Sequence, residues 1–198
     1  MDHLELTPRQ VIEQLTPFLT PARMERLNTV IAQRTATVVT VIEGLINLGN
    51  VSAVMRSAEA LGFHQVHVIE GGTRFKNSQR TSQGAEKWVE VTRWPSTAAC
   101  IPSLKAQGYH VVATHLDDTA VTIDKIDFTK PTALVFGNEQ EGISQEMIEL
   151  ADQRCIIPMA GFVQSFNISV ATAVALYHAF HDRMTRQGFQ GDLNDDEK

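Results

Sequence analysis

Three short segments combine residue types that could do chemistry. The first, Gly49-Asn50-Val51-Ser52-Ala53-Val54-Met55-Arg56, puts Asn50 where it can cap a helix and Arg56 about two turns further on, so that amide and guanidinium point roughly toward one side. Spacing alone favours the plainer reading, a capped amphipathic helix with a solvated arginine. The second, Phe136-Gly137-Asn138-Glu139-Gln140-Glu141-Gly142-Ile143-Ser144, follows an apolar run, and its glycines permit close backbone approach to a ligand. It has the glycine spacing of a phosphate-binding loop without the lysine, and Glu139 would repel a triphosphate, so nucleotide hydrolysis is disfavoured. A structural strand-to-helix turn is an even alternative for this segment. The third runs from Ile156 through Pro158, Gly161, Ser165 and Asn167 to Val170: a strand end, an irregular loop, then a helix that Ser165 or Asn167 could cap.

Elements that could position these loops are readable on both sides. Thr7-Pro8-Arg9-Gln10 and Thr20-Pro21 are helix-start signals, and they predict a two-helix N-terminal appendage ending near Gln33. From Thr37 the pattern alternates: a β-branched run over 37–42, a helix over 50–61, a strand over 65–69 and another over 88–92. A helix over 96–107 follows, with Pro102 inside it, then strands over 109–114 and 132–136. A helix over 144–150, a strand over 155–157 and a long helix over 167–184 complete the order. Alternation of this kind predicts an α/β fold with a mostly parallel sheet and helices on both faces, in which ligands bind at the strand ends. Periodicity suggests an unknotted doubly wound sheet.

The 198 residues, 43% hydrophobic, suffice for one principal core. A net charge of -6 argues against a protein that coats nucleic acid nonspecifically, so RNA contact would need local basic patches. Part of the acidity lies in the segment 188–198, which is expected to be a disordered tail. Cys100 and Cys155 sit in apolar runs without metal-ligand spacing and are read as reduced, buried thiols. The pocket loops offer no clustered metal ligands, so no metal is expected. With no signal-like start and no membrane-length apolar run, a soluble, cytoplasmic protein is expected, and the two Asn-x-Ser matches at Asn50 and Asn167 carry no weight.

Taken together and in this order, the three segments resemble the motifs of the SpoU branch of the SPOUT RNA methyltransferases. The likeness is greatest to the TrmH group, which methylates the ribose 2′-oxygen of tRNA guanosine 18. It extends over about residues 21–187 and includes Thr81-Ser82-Gln83-Gly84-Ala85-Glu86-Lys87-Trp88. The resemblance implies a methyltransferase domain over 37–187 whose C-terminal part forms a deep trefoil knot, S-adenosyl-L-methionine as cofactor, tRNA as partner, and a homodimer whose active sites are completed across subunits. Carried over by position, the cofactor pocket comprises Thr114, His115, Gly137, Ile157, Pro158, Met159, Phe166 and Asn167, with much of the contact through backbone groups. Phe166 stands where the family usually has Leu, which would reshape the adenine pocket. Several members have a residue other than Gly at the position of Gly49.

The resemblance also implies roles for Asn50, Arg56, Glu139, Ser165 and Asn167 in catalysis. It assigns proton removal to Arg56, but a guanidinium stays protonated in proteins, so a phosphate clamp that relays the proton is preferred. Asn50 and Asn167 would orient Arg56 and the ribose, Ser165 would bond a phosphate or the ribose, and Glu139 would organise the site. For RNA, the family's use of an N-terminal extension points to residues 1–36 here, with Arg23 and Arg26 on adjacent turns and Arg34 nearby; Lys105, Arg183 and Arg186 could extend the path. Three alternatives stand beside this reading: methylation of ribosomal RNA or another tRNA position, an inert RNA-binding relative, and a nicotinamide-dependent Rossmann enzyme. Residues 43–49 lack the glycine fingerprint that the last would need.

Overall fold

The computed structural model describes residues 6–44, 48–70, 84–138, 140–195 and 197–198. Helices α1 (Pro8–Leu15) and α2 (Pro21–Ile31) start at the two Thr-Pro signals. Thr7 and Gln10 form a reciprocal capping box, and the Thr20 hydroxyl accepts from the Arg23 N–H. Neither helix buries a residue, so both stand off the core as an arm.

From β1 (Val38–Glu43) the chain alternates through α3 (Leu48–Ala60), β2 (Gln65–Ile69), β3 (Glu90–Trp94), α4 (Thr97–Ala106), β4 (His110–Thr114) and β5 (Val121–Thr122). It closes with β6 (Thr132–Phe136), α5 (Gln145–Leu150), β7 (Gln153–Ile156) and α6 (Ile168–Gln187). Among the described residues seven strands form one sheet in the order β3-β2-β1-β6-β4-β7-β5, with each of these pairings parallel. Strand β6 lies between β1 and β4, with Val38 opposite Thr132 and Val112 opposite Leu134. The order therefore reverses beside β1, and crevices beyond strand ends at such a reversal are where α/β sheets bind ligands.

Side-chain alternation splits the core between two faces. On one face Ile42, Val68, Leu134 and Phe136 meet Val54, Met55 and Ala58 of α3 and Ala175, Leu176 and Ala179 of α6. On the other, Val41, Val111 and Val135 meet Ile101 and Leu104 of α4 and Met147 of α5. Strands covered on both sides read as continuous apolar runs, which is why β6 was so clear in the sequence.

Three expectations are corrected, and one element was missed. Helix α3 begins at Leu48, so Asn50 lies inside its first turn instead of capping it. Strand β3 is shifted to Glu90–Trp94 because Ala85–Lys87 winds into a single tight turn ahead of it. The short strand β5 was not foreseen. The segment expected to be a disordered tail is packed in its first part, through Leu193: Gln190 and Leu193 are buried, and Asp192 bonds both Arg183 and Thr37, each at 2.6 Å. The reason is that Arg183 and Leu193 supply buried partners that composition alone conceals. Among the described residues no helix is long and apolar enough to cross a membrane.

Candidate active site

At the carboxyl edge of the sheet, the segments after β4, β6 and β7 and the start of α6 surround a groove of about 830 Å³. Thr114 and His115 line it from β4, Gly137 from β6, and Ile157, Pro158 and Met159 from β7. Phe166 and Ser165 line it ahead of α6, so every expected cofactor residue except Asn167 reaches the wall.

Local geometry explains the shape of each wall. After β6 the chain doubles back, with Asn138 and Gly142 exchanging backbone hydrogen bonds at 3.1 and 3.0 Å. The Asn138 side-chain oxygen accepts from the N–H groups of Gln140 and Glu141 at 2.9 and 2.8 Å, an Asx turn. A Cβ on Gly137 would lie 2.1 Å from the Gly142 carbonyl carbon, so the fold leaves no space there for a side chain. Opposite, the Thr114 hydroxyl donates to Val135 O at 2.9 Å, and Arg154 pairs with Asp117 at 2.8 Å to hold the segment beyond β4. The hydroxyl of Thr119, with Arg154 as a smaller contributor, holds the Asp117 carboxyl below its usual range. Burial pushes the Cys155 thiol in the groove wall up to about 12, which keeps it protonated and inert.

The donor set fits a cationic, partly apolar cofactor. Ile157, Met159, Val163 and Phe166 offer apolar surface, and among the described residues no Lys or Arg lines the groove, while Glu141 adds negative charge. That environment disfavours a polyphosphate and tolerates a sulfonium. Among the described residues, no group of three or more His, Cys, Asp or Glu side chains is placed to hold a metal ion.

Asn167 caps α6, its side-chain oxygen accepting from Ser169 N at 3.0 Å, and its amide donates to Asn50 Oδ1 at 3.4 Å. Two of the residues expected in catalysis, 117 positions apart in the chain, thus meet where α3 packs on α6. Ser165 is exposed on the groove wall, and Arg56 is exposed further along α3. Glu139 lies outside the described residues, as do Thr81, Ser82 and Gln83.

The basic residues divide sharply. Arg23 and Arg26 are exposed on α2, as expected of an RNA grip. Arg34 and Arg183 are not available for that role and are corrected to structural residues, only 5% and 0% exposed. Arg34 donates to Trp88 O and pairs with Glu59 at 3.4 Å. Arg183 donates to Phe128 O, Gln190 O and Gln190 Oε1 and pairs with Asp192. Position 183 continues the inward stripe of Thr172, Ala175, Leu176 and Ala179 on α6, so helical periodicity already pointed it at the core. Lys105 and Arg186 are engaged by Asp152 and Asp182, each at 2.6 Å, which draws their charge away from a free RNA path. Sequence reasoning missed Asn138, although an Asn after Gly at a strand end is a turn signal.

A parallel sheet between two helix layers, with a cation-tolerant groove at its carboxyl edge, defines a cofactor-binding α/β protein. Residues 37–177 match the SpoU rRNA Methylase family, and the chain belongs to that family. It is 40% identical over 165 residues to the tRNA (guanosine(18)-2′-O)-methyltransferase of Escherichia coli, covering 83% of this chain and 72% of that protein. The structure is similar to the crystal structure of the Aquifex aeolicus TrmH/SpoU tRNA modifying enzyme, with TM-score 0.80 and 33% identity over 89% of this chain and 90% of that one. It is also similar to the SpoU methyltransferase AviRb from Streptomyces viridochromogenes in complex with AdoMet, with TM-score 0.70 and 28% identity over 78% of this chain and 64% of that one. The fold expected from the resemblance, that of the trefoil-knot methyltransferases, is the fold observed.

Proposed function

We propose that the protein methylates the ribose 2′-hydroxyl of transfer RNA at guanosine 18, using S-adenosyl-L-methionine and acting in the cytoplasm. The observation that carries this is the meeting of Asn50 and Asn167 beside a groove whose walls suit a sulfonium cofactor. The likeness to tRNA guanosine-18 methyltransferases adds the substrate. When bound, the cofactor supplies an electrophilic methyl group.

The chain's own residues do the rest. Thr114, Ile157, Met159 and Phe166 would hold the cofactor by backbone groups and apolar contact, with the folded-back loop after β6 forming another wall of the groove. Asn50 and Asn167 orient the ribose so that its 2′-oxygen lies in line with the transferable group, since positioning supplies much of the rate. Arg56 keeps its proton, so it acts as a clamp on the neighbouring phosphate and stabilises negative charge developing on the 2′-oxygen. The hydroxyl proton leaves through the phosphate oxygen that Arg56 holds, and Ser165 donates a hydrogen bond to that phosphate or to the ribose. Arg23 and Arg26 grip the tRNA backbone from the arm.

A second copy of the chain completes the site. Val170, Val174 and Tyr177 follow one another at helical spacing on α6 and are 46%, 41% and 60% exposed. Such a stripe, beside the active-site loop with its exposed Phe162 and Val163, is the kind of surface that a partner covers. A fully active monomer at assay concentration, seen by sedimentation, would refute the dimer.

The test of the function is incubation of the protein and cofactor with unmodified tRNA and ribosomal RNA, followed by digestion and mass spectrometry. A 2′-O-methylguanosine at tRNA position 18 is expected. Product only at another tRNA position or in ribosomal RNA would reassign the substrate, and no product would favour an inert RNA-binding relative.

A further inference from the structure

The carboxylate of Glu43 is 6% exposed at the end of β1, and no cationic side chain among the described residues pairs with it. Burial of such a group without an ionic partner is costly unless hydrogen bonds satisfy it. Here they do. One carboxylate oxygen accepts from the hydroxyls of Thr97 and Ser144, and the other from the Ser144 N–H at 2.8 Å.

These partners belong to different segments. Thr97 is the first residue of α4, and Ser144 ends the groove loop after β6 and caps α5, its hydroxyl accepting from Met147 N at 3.1 Å. Glu43 itself precedes the connection to α3, which carries Asn50 and Arg56. Its neighbour Gly44, at φ +72°, is pressed so close to the same groove loop that a Cβ would lie 2.9 Å from Asn138 Nδ2. One carboxylate therefore ties the exit of β1, the start of α4 and the far end of the cofactor-groove loop.

We infer that Glu43 is a positioning residue for methyl transfer: through Ser144 it fixes the 137–144 loop against the exit of β1, setting the cofactor wall in register with the helix that presents Asn50 and Arg56. The inference rests on the reading of the groove as the cofactor site. A positioning role differs from a merely structural one in which parameter changes. If Glu43 only supports folding, its loss lowers melting temperature and active fraction, hence kcat, and leaves the KM for cofactor alone. If it sets the groove wall, cofactor affinity itself falls.

The experiment compares the full-length protein with Glu43→Gln, Ser144→Ala and Ser144→Thr, by calorimetric titration with S-adenosyl-L-methionine and by steady-state kinetics. Glu43→Gln retains size but turns amide hydrogens toward hydroxyl donors, and a roughly tenfold rise in cofactor Kd and KM is expected with tRNA KM unchanged. Ser144→Ala is expected to shift cofactor Kd in the same direction by a smaller factor, and Ser144→Thr, which retains the hydroxyl, to restore it. Should Glu43→Gln not fold, the Ser144 pair carries the test alone. Cofactor Kd within twofold of the unaltered protein in both Glu43→Gln and Ser144→Ala overturns the inference. Failure of the unaltered protein to bind cofactor overturns the groove reading and the inference together.

Discussion

The two edges of the sheet are built on opposite plans. At the carboxyl edge, backbone turns and small residues leave a groove walled by exposed side chains, and the segment from Pro158 to Asn167 is exposed throughout. At the amino edge, two arginines are buried. Arg34 joins the end of the arm to α3 and to the carbonyl of Trp88, and Arg183 clamps residues 190–192 over the start of β1. Burial lowers the Arg34 guanidinium from its ordinary value, with Glu59 opposing, and burial followed by the charge of Arg34 lowers His64, favouring a neutral imidazole beside it. The lesson is that buried guanidinium groups hold the amino end together, while the reactive end buries the Glu43 carboxylate to anchor its groove loop and leaves the segment after β7 accessible.

If this division holds, substitutions at the two edges fail in different assays. The largest effect is expected from Arg56→Ala, which should lower methyl transfer by about a hundredfold or more, the scale of a lost proton-transfer or charge-stabilising group, with cofactor Kd unchanged. Arg56→Lys should not restore the rate, because a point charge cannot replace a planar fork. Normal turnover by Arg56→Ala would remove the catalytic assignment.

Next is Arg183→Met at the opposite edge. It leaves Asp192, Gln190 and Phe128 O without their donor, and a loss of about 3 kcal/mol in urea unfolding is expected, with kcat per folded molecule unaltered. A stable Arg183→Met protein with poor tRNA binding would instead return Arg183 to the RNA path.

Gly137→Ala should act at the carboxyl edge alone, since its Cβ would meet the backbone of Gly142 and Ile143. Displacing that loop is expected to weaken cofactor binding by about tenfold, measured by calorimetry, because errors near one ångström are costly in a positioned site. Smallest in free energy is the double variant Arg23→Ala with Arg26→Ala, which belongs to neither edge. Its tRNA affinity should fall and its logarithmic salt slope flatten by roughly one unit per arginine, with stability and cofactor Kd unchanged. An unchanged salt series would assign both arginines to solvent.

The sequence was most informative where local rules and burial agree. The Thr-Pro starts, the cap at Asn167 and the apolar run of β6 could each be read within a few residues of chain, and residues of the second and third motif segments line one groove. Features made by distant partners were hidden. β5 has only two residues, too few for a periodic signal, and its pairing with Cys155 and Ile156 is what makes it a strand. Arg34 looked like one more cation on a basic arm because Glu59 and Trp88 lie far along the chain. Glu43 lay unnoticed beside a motif, since nothing local announces that Thr97 and Ser144 converge on it.

The buried clamp of Arg183 also sets an order of assembly. Gly191 lies so close to the end of the arm that a Cβ would come within 1.9 Å of Ala32 O, and Asp192 reaches Thr37 across 155 positions of chain. At a synthesis rate of about 5–20 residues per second, Thr37 is made roughly 8–30 s before its partner. Throughout that interval the amino edge of β1 has no lid and Arg34 lacks the Asp192 N–H that its carbonyl accepts. Newly made chains are therefore expected to hold the arm loosely until the last turn of α6 and the residues after it emerge. A full-length chain refolding from denaturant has every partner from the start, so arm docking should lag in synthesis and not in refolding.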